Sequence, residues 1–325
     1  MQRYATRLNS FASDAAQYWG DLGCSPTVSQ MIERAGKVKG LTDLDLNYPD
    51  HPKEGLIEIA TAVSDAGLRV SGMAVRYYSL PAFKAGAFTN PDKTVRQAAI
   101  DITKKGIDAG RELGASLMTI WPGQDGFENH FQSDYAQLWD YMLEGLAEVA
   151  DHDPDCDISL EYKPDEPRPR ALLPDCATTL LMLSDLNRPN TGATLDFAHS
   201  LYAGETPAYA AALIARKSRL LGLHLNDGYG HRDDGLMVAS VNPQATLELL
   251  IEARRAKFDG PIYFDTFPNT ADLDPIAECK ANITMTERLL AAAERMEGDN
   301  RLRDALARQN PVDGLKVAHE AMFRD

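Results

Sequence analysis

The chain has 325 residues, 44% of them hydrophobic and 25% charged, which is ordinary for a soluble protein that buries a large core. Its formal net charge of -15 repels phosphate backbones and anionic lipids, so we expect no nucleic acid and no membrane as a partner. The N-terminal residues lack the apolar core of a signal peptide, and the four cysteines form no C-x-x-C pair. We therefore expect a cytoplasmic protein with reduced thiols.

Predicted strands and helices alternate eight times along the chain, with short connections between them. The strands are predicted at residues 7–11, 41–46, 68–75, 116–121, 157–162, 192–197, 220–225 and 261–264. The helices are predicted at residues 26–35, 54–66, 91–113, 134–152, 175–186, 206–215, 243–256 and 273–295. Such alternation is typical of parallel strands joined by right-handed crossovers. Eight units favour an α/β fold of the closed (β/α)8 TIM barrel type over an open doubly wound sheet.

A charged helical segment, residues 299–322, follows the last predicted barrel helix and has no strand after it. We therefore expect a catalytic barrel domain of residues 1–295 and a C-terminal helical extension of residues 296–325. The extension would pack on the barrel or on another subunit, and we expect a homo-oligomer, either a dimer or a tetramer.

Ionisable side chains end the last four predicted strands. In chain order these residues are Glu161, Asp196, His224 and Asp265. Strand ends in a parallel barrel gather at one face, and neighbouring strands lie about 4.8 Å apart, so the four side chains can converge on one ion. Each acid alone could simply cap the next helix, but with four successive strands ending in ionisable residues the three carboxylates would repel one another without a cation. Carboxylates with one imidazole suit Mn²⁺ or Mg²⁺, and Co²⁺ or Zn²⁺ is also compatible.

Two further residues suggest a second ion. His199 lies three residues after Asp196, and Asp233 lies in the loop after the seventh strand. With Glu161 as a bridge they could hold a second ion, and two ions would clamp two oxygens of one substrate. Loop aspartates are also common turn formers, so the sequence leaves one or two ions per subunit open.

Three residues near these strand ends have more than one interpretation. Lys163 follows Glu161 closely and could simply neutralise its charge. Trp121 and Phe127 flank the loop after the fourth strand, where they could belong to the core or contact the apolar face of a substrate.

Four motifs in barrel order resemble the xylose-isomerase-like barrel superfamily. They are Glu-Tyr-Lys-Pro at 161–164, Leu-Asp-Phe-Ala-His at 195–199, His-Leu-Asn-Asp at 224–227, and the aspartate at 265. Within the superfamily they are most similar to the L-rhamnose isomerase group of dimetal aldose–ketose isomerases. The segment Trp-Pro-Gly-Gln-Asp at 121–125 also looks like the substrate loop of that group.

The resemblance implies roles for individual residues. It implies a structural metal on the four strand-end residues and a catalytic metal on Glu161, His199 and Asp233. It also places Lys163 beside the substrate oxygens. The chain departs from the group because Asp233 is followed by Asp234 and Gly235 rather than by an Asp-x-Asp pair.

We therefore expect an enzyme that moves a carbonyl between C1 and C2 of a sugar. No phosphate-binding glycine loop or arginine cluster is evident, so the sugar is expected to be unphosphorylated. The candidate catalytic residues are Glu161, Lys163 and Asp265, with Asp265 or a metal-bound water as base and Lys163 stabilising negative charge. The candidate substrate contacts are Trp121, Phe127, Lys163 and His199.

Three other functions compete with this interpretation. A ketose 3-epimerase of the same superfamily is the nearest, although those enzymes usually end the eighth strand in glutamate and use two glutamates as bases. A metal-dependent apurinic endonuclease on the same barrel is disfavoured by the net charge of -15. A non-catalytic sugar-binding module is the third.

Overall fold

The strands form a closed barrel in a computed structural model that describes residues 1–12, 26–268 and 273–323. In chain order the strands are β1 (Tyr4–Arg7), β2 (Asp43–Tyr48), β3 (Arg69–Val75), β4 (Leu117–Ile120), β5 (Gly126–Phe127), β6 (Asp157–Glu161), β7 (Arg170–Ala171), β8 (Thr191–Asp196), β9 (Leu220–Leu225) and β10 (Ile262–Phe264). Strands β5 and β7 form a separate antiparallel pair. The other eight are parallel neighbours in chain order, and β1 pairs with β10 to close the ring. The predicted (β/α)8 TIM barrel is confirmed.

Helices lie between the barrel strands, and further helices follow the last of them. In the described part of the chain they are α1 (Val28–Ala35), α2 (Leu56–Asp65), α3 (Lys93–Glu112), α4 (Tyr135–Ala150), α5 (Cys176–Leu186), α6 (Phe197–Tyr202), α7 (Pro207–Lys217), α8 (Pro243–Arg255), α9 (Pro275–Glu297), α10 (Asn300–Ala307) and α11 (Pro311–Met322). Aspartates such as Asp92, Asp134 and Asp175 begin several of them, because their carboxylates accept hydrogen bonds from free backbone N–H groups of the first turn.

The first strand was predicted wrongly. It runs over Tyr4–Arg7, and most of the predicted segment 7–11 is a 3-10 turn, Leu8–Ala12. Leu8 and Phe11 are fully buried, so their apolar character reflects burial rather than extended backbone. The other predicted barrel elements begin and end within about two residues of the observed ones. Helix α6 and the β5–β7 pair were not predicted.

The C-terminal helices pack against the barrel's outer helices. Leu302 and Val317 are buried in the same apolar core as α9, and Arg295 donates to the Ala321 carbonyl at 2.7 Å. The predicted helical extension is therefore present. Its division from the barrel at residue 295 as a separate domain, like the homo-oligomer, stays a prediction.

Two general properties of the described residues complete the fold. Cys156, Cys176 and Cys279 are buried free thiols, and Cys24 lies outside the described residues. Within the described ranges, none of the helices combines the length and the apolar character that a membrane crossing requires.

A buried histidine fastens the loop after β2 to the turn after β1. The backbone N–H of Asn47 donates to His51 Nδ1 at 2.9 Å, so His51 Nε2 carries the proton and donates to Asn9 Oδ1 at 2.7 Å. Burial, and then the charge of Arg76, lower the pKa of His51 to about 4. The folded protein therefore holds this imidazole neutral, whereas the unfolded chain protonates it near its ordinary pKa of about 6.5.

This difference predicts a pH-dependent loss of stability. The contribution of neutral His51 to the free energy of unfolding is complete above about pH 6.5 and is lost as the pH falls towards about 4. The free energy of unfolding should therefore decrease by about 2 kcal/mol between pH 7.5 and 5. Urea unfolding at both pH values measures it. His51→Gln should lose correspondingly less stability over this range. The matched control His152→Gln, at an exposed histidine, should retain the wild-type pH dependence; equal losses in all three proteins would contradict the assignment.

Candidate active site and metal centre

The four predicted strand-end ligands meet at one place. Glu161 and Asp196 are the last residues of β6 and β8, His224 is the penultimate residue of β9, and Asp265 directly follows β10. Asp196 and His224 are register partners, as are His224 and Tyr263. One ligand atom from each of the four side chains lies within 4.8 Å of the others. The barrel therefore places three carboxylates and an imidazole around a common point.

His224 has the contacts expected of a metal ligand. Its Nδ1 lies 3.3 Å from Glu161 Oε1 and 3.9 Å from Asp196 Oδ2, but it is buried and has no hydrogen-bond partner. The ring packs against Tyr263 with centroids 4.2 Å apart, which fixes its plane. A buried nitrogen without a partner, aimed at carboxylate oxygens, fits a divalent cation between them.

The charges of this cluster are strongly coupled. Burial lowers the pKa of His224, but the carboxylates of Glu161 and Asp196 outweigh it and raise that pKa to about 9. Burial raises the pKa of Asp196 to about 7. The pKa of Glu161 is instead lowered, because His224 and His199 outweigh its burial. The cluster thus needs positive charge, which protons or a metal ion can supply.

Asn226 orients two of the ligands and was not singled out from the sequence. It is fully buried, and its Nδ2 lies 3.1 Å from both carboxylate oxygens of Asp196 and 3.2 Å from the Asp265 carbonyl. Its Oδ1 accepts from the backbone N–H of Ala198 at 2.8 Å. One amide therefore ties together the ends of β8, β9 and β10. The sequence feature that could have identified Asn226 is its position directly after an apolar strand.

The predicted second metal position contains a lysine ammonium. His199 Nδ1 donates to the Tyr162 carbonyl at 3.1 Å, so Nε2 faces Asp233 Oδ2 at 3.2 Å. Lys163 Nζ lies 3.0 Å from the same oxygen and 2.8 Å from Glu166 Oε2. The structure brings His199 and Asp233 together as predicted, but the four-residue ligand cluster does not include them.

These contacts set the charges at the second position. Burial lowers the pKa of His199, but Asp196 and Asp233 raise it to about 10. The pKa of Asp233 lies well below its ordinary value, because His199 and Lys163 outweigh its burial. His199 and Lys163 both supply positive charge to one carboxylate.

Asp227 holds the loop that carries Asp233. This buried carboxylate accepts from the backbone N–H groups of Val241 and Asn242, both at 2.8 Å. Its own backbone forms two 3.0 Å hydrogen bonds with Leu236. The base of the loop is therefore closed. Asp234, next to Asp233, instead accepts from the Tyr229 N–H at 2.9 Å.

The two predicted aromatic contacts differ in position. Trp121 lines the cavity above the ligand cluster, with Lys163 Nζ 5.1 Å from its ring centroid. Phe127 is not among the cavity residues and packs on Tyr135 with centroids 4.9 Å apart. The structure therefore does not place Phe127 where it was predicted to contact substrate, because β5 directs it towards α4 and its preceding loop.

The cavity has a volume of about 230 Å³, which suits a molecule of monosaccharide size. Strand residues two apart in sequence alternate into it. Examples are Asp45 and Asn47, Ala74 and Arg76, Thr119 and Trp121, Glu161 and Lys163, and Tyr263 and Asp265. Arg7, Asp45 and Arg76 were missed in the sequence, although this period of two places them on the same inner face as the predicted residues.

Comparison with known proteins gives the family. Residues 35–289 match the family described as Xylose isomerase-like TIM barrel. Xylose isomerase from Thermus thermophilus is 33% identical over 210 residues, which are 63% of this chain and 54% of that protein. The xylose isomerase of Thermus caldophilus is 31% identical over the same shares. The matched region thus spans about half the length of these curated relatives.

Solved structures share the fold at low identity. An L-ribulose 3-epimerase superposes with a TM-score of 0.68 at 18% identity, covering 91% of this chain and 96% of that one. The IOLI protein with a bound zinc atom gives 0.65 at 13% identity, covering 89% and 98%. D-allulose 3-epimerase from Methylomonas sp. gives 0.65 at 15%, covering 88% and 96%. With the family match over most of the barrel and the closed ring of eight strands, the chain belongs to the xylose isomerase-like TIM barrel family.

Proposed function

We propose that this protein is a divalent-metal-dependent sugar isomerase that interconverts an aldose and a ketose. The observation that carries the proposal is the convergence of Glu161, Asp196, His224 and Asp265 within 4.8 Å at the floor of a cavity of monosaccharide size. The family membership and the identity to xylose isomerases support it. The L-rhamnose isomerase-like character of the motifs stays a prediction.

The four residues would hold one cation. Carboxylate oxygens with a single imidazole favour Mn²⁺ or Mg²⁺ over ions that prefer nitrogen or sulfur ligands. The bound ion would polarise a sugar carbonyl and lower the pKa of a hydroxyl beside it.

The side chains around the ion would move and stabilise protons. Asp265 is the most exposed of the four ligands, with 19% of its side chain accessible, so it can accept a proton from the sugar. Burial lowers the pKa of Lys163, but Asp233 and Glu166 outweigh it and raise that pKa, so the ammonium stays charged. It can therefore donate to negative charge that develops on a sugar oxygen. Glu161 would anchor the ion, and Trp121 would wall the sugar.

A ketose 3-epimerase is the alternative that comparison with solved structures keeps open, since several neighbours bear that name. Asp265 stands where those enzymes usually carry glutamate. Its carboxylate reaches one methylene less, which favours the isomerase. An assay can distinguish the two activities: the Mn²⁺-loaded protein is incubated with aldoses and ketoses, and the products are identified by NMR. A change at C2 supports the isomerase, and inversion at C3 supports the epimerase.

The first prediction from this proposal concerns the ligands. EDTA should abolish turnover, and Mn²⁺ or Co²⁺ should restore it. Glu161→Gln should lose bound metal, and Asp265→Asn should lower kcat by about 10²- to 10⁴-fold. Elemental analysis and turnover measure both effects. Glu248→Gln, at an exposed glutamate of α8, is the control and should match wild type; full metal content and activity in Glu161→Gln would refute the site.

The second prediction concerns Asn226, which would act by positioning Asp196. Asn226→Ala should raise the Kd for Mn²⁺ by about 10- to 100-fold, because Asp196 loses the amide that orients it. Calorimetry measures the Kd. Asn282→Ala removes another fully buried asparagine, which bonds Glu278 and Val238 and none of the four ligands, and should lower stability while leaving the Kd unchanged. Equal Kd values for both variants would show that Asn226 is merely structural.

The third prediction concerns the number of ions. Lys163 neutralises Asp233, so we propose that one ion binds per chain. Elemental analysis after dialysis should give about one Mn²⁺ per chain in wild type. Lys163→Ala exposes His199 and Asp233 to solvent cations and should raise that number towards two. Two ions in wild type would instead favour the dimetal arrangement of the resembled group.

A further inference from the structure

Two arginines line the cavity from strands that carry none of the four metal-ligand candidates. Arg7 ends β1 and Arg76 directly follows β3, and both line the cavity with Lys163. Lys163 is already paired with Asp233 and Glu166. The Nε atoms of both arginines are buried and lack hydrogen-bond partners. Such donors call for an acceptor that the protein itself does not supply.

Arg76 has the fewest protein contacts of the three cations. Its buried Nε has no hydrogen-bond partner within the described residues, and its guanidinium carbon lies 5.7 Å from the Tyr78 ring centroid. Its backbone N–H donates to the Tyr48 carbonyl at 3.1 Å, which fixes where the side chain starts. A guanidinium stays charged at all relevant pH values, and a half-buried one without a counter-ion is costly unless a ligand supplies the negative charge.

Arg7 lies beside the ligand cluster, where Asp265 and Phe267 hold its guanidinium group. Its Nη1 lies 3.3 Å from Asp265 Oδ1, and its guanidinium carbon lies 4.7 Å from the Phe267 ring centroid. If Asp265 coordinates a cation, that carboxylate can no longer satisfy Arg7 fully. Arg7 and Arg76 also share a neighbourhood, because both lower the pKa of Tyr263 against the larger opposing effect of burial.

The remaining cavity carboxylates do not balance these charges. Asp233 is paired with Lys163, and Glu161 belongs to the proposed metal site. Asp45 is the single carboxyl group that the described residues of β1 to β3 contribute to the cavity, against the two arginines. Burial raises its pKa, and the hydrogen bond that it accepts from the Ser71 hydroxyl partly offsets that rise. With a divalent cation bound, the β1–β3 side of the cavity therefore carries an excess of positive charge.

We infer that the substrate is an acidic monosaccharide whose anionic group binds Arg7 and Arg76 while its carbonyl and hydroxyl oxygens face the metal site. The inference rests on the proposed function and names its substrate class. The shared chemistry is an anionic oxygen group, which a sugar acid supplies as carboxylate and a sugar phosphate as phosphate. A neutral sugar would leave the Arg76 guanidinium without a counter-ion and Arg7 with Asp265 alone.

Direct binding and turnover test this inference. The Mn²⁺-loaded protein is titrated by calorimetry with an aldonate, the matching alditol and the alditol phosphate, and is assayed with the corresponding aldose, uronate and aldose phosphate. Wild type should prefer a charged member of each set. Arg76→Met should lower binding and kcat/KM for that member by about 10- to 100-fold, a larger loss than for the neutral member, so that the preference for charge falls. Arg76→Lys should retain part of the preference.

Arg111→Met is the matched control. Arg111 lies at the end of α3, where it pairs with Asp153 at 3.1 Å, and it does not line the cavity. This variant should keep the wild-type preference. Whether the carboxylate or the phosphate is preferred identifies the source of the anionic group.

Two results would overturn the inference. One is equal or better binding of the neutral compounds by wild type. The other is an acid preference that survives Arg76→Met unchanged, because the cation alone would then hold the carboxylate. Isomerisation of neutral sugars only would leave the isomerase proposal standing and remove this inference. Arg76-dependent binding of acids without any metal-dependent turnover would support the binding of an anionic ligand and remove the isomerase proposal.

Discussion

The site depends on the repulsion between carboxylates that the barrel buries at one end. Glu161 and Asp196 are more than nine-tenths buried, and Asp265 stands beside them. Such a cluster is stable only with positive charge among its oxygens. The chain supplies His224 from within the cluster, and His199, Lys163 and Arg7 from its edge. The gap these groups leave, at the unpartnered nitrogen of His224, is where a cation fits.

Buried amide and carboxylate groups behind the ligands hold this arrangement in place. Asn226 orients the Asp196 carboxylate and the Asp265 backbone, and Asp227 closes the loop that carries Asp233. Both residues follow β9 directly, so a single strand end positions His224 and both supporting groups. A metal site needs such support because a carboxylate free to rotate loses affinity for the ion.

The sequence predicted the barrel because strand and helix periods alternate along the chain, and it predicted the ligand cluster because the last four strands end in ionisable residues. It failed for β1, where apolar residues of a 3-10 turn resemble a strand. It also missed Arg7 and Arg76, because parallel strands are buried on both faces and inward-facing residues cannot be recognised by hydrophobicity alone. The pairing of Lys163 with Asp233 joins residues on separate loops, which no local pattern reports. The fold and the family are established, whereas the roles of all these residues remain predictions.

Closure of the barrel gives the cavity an acidic side and a basic side. Strands β6, β8, β9 and β10 and the segments after them contribute most of the carboxylates and both imidazoles, whereas the ends of β1 and β3 contribute the two arginines. The halves meet where β1 pairs with β10, and there Arg7 contacts Asp265. A substrate anion that binds Arg7 competes with Asp265 for the same guanidinium. Its arrival would therefore release an Asp265 oxygen towards the sugar, so that one binding event would both orient the substrate and prepare the residue proposed to accept its proton.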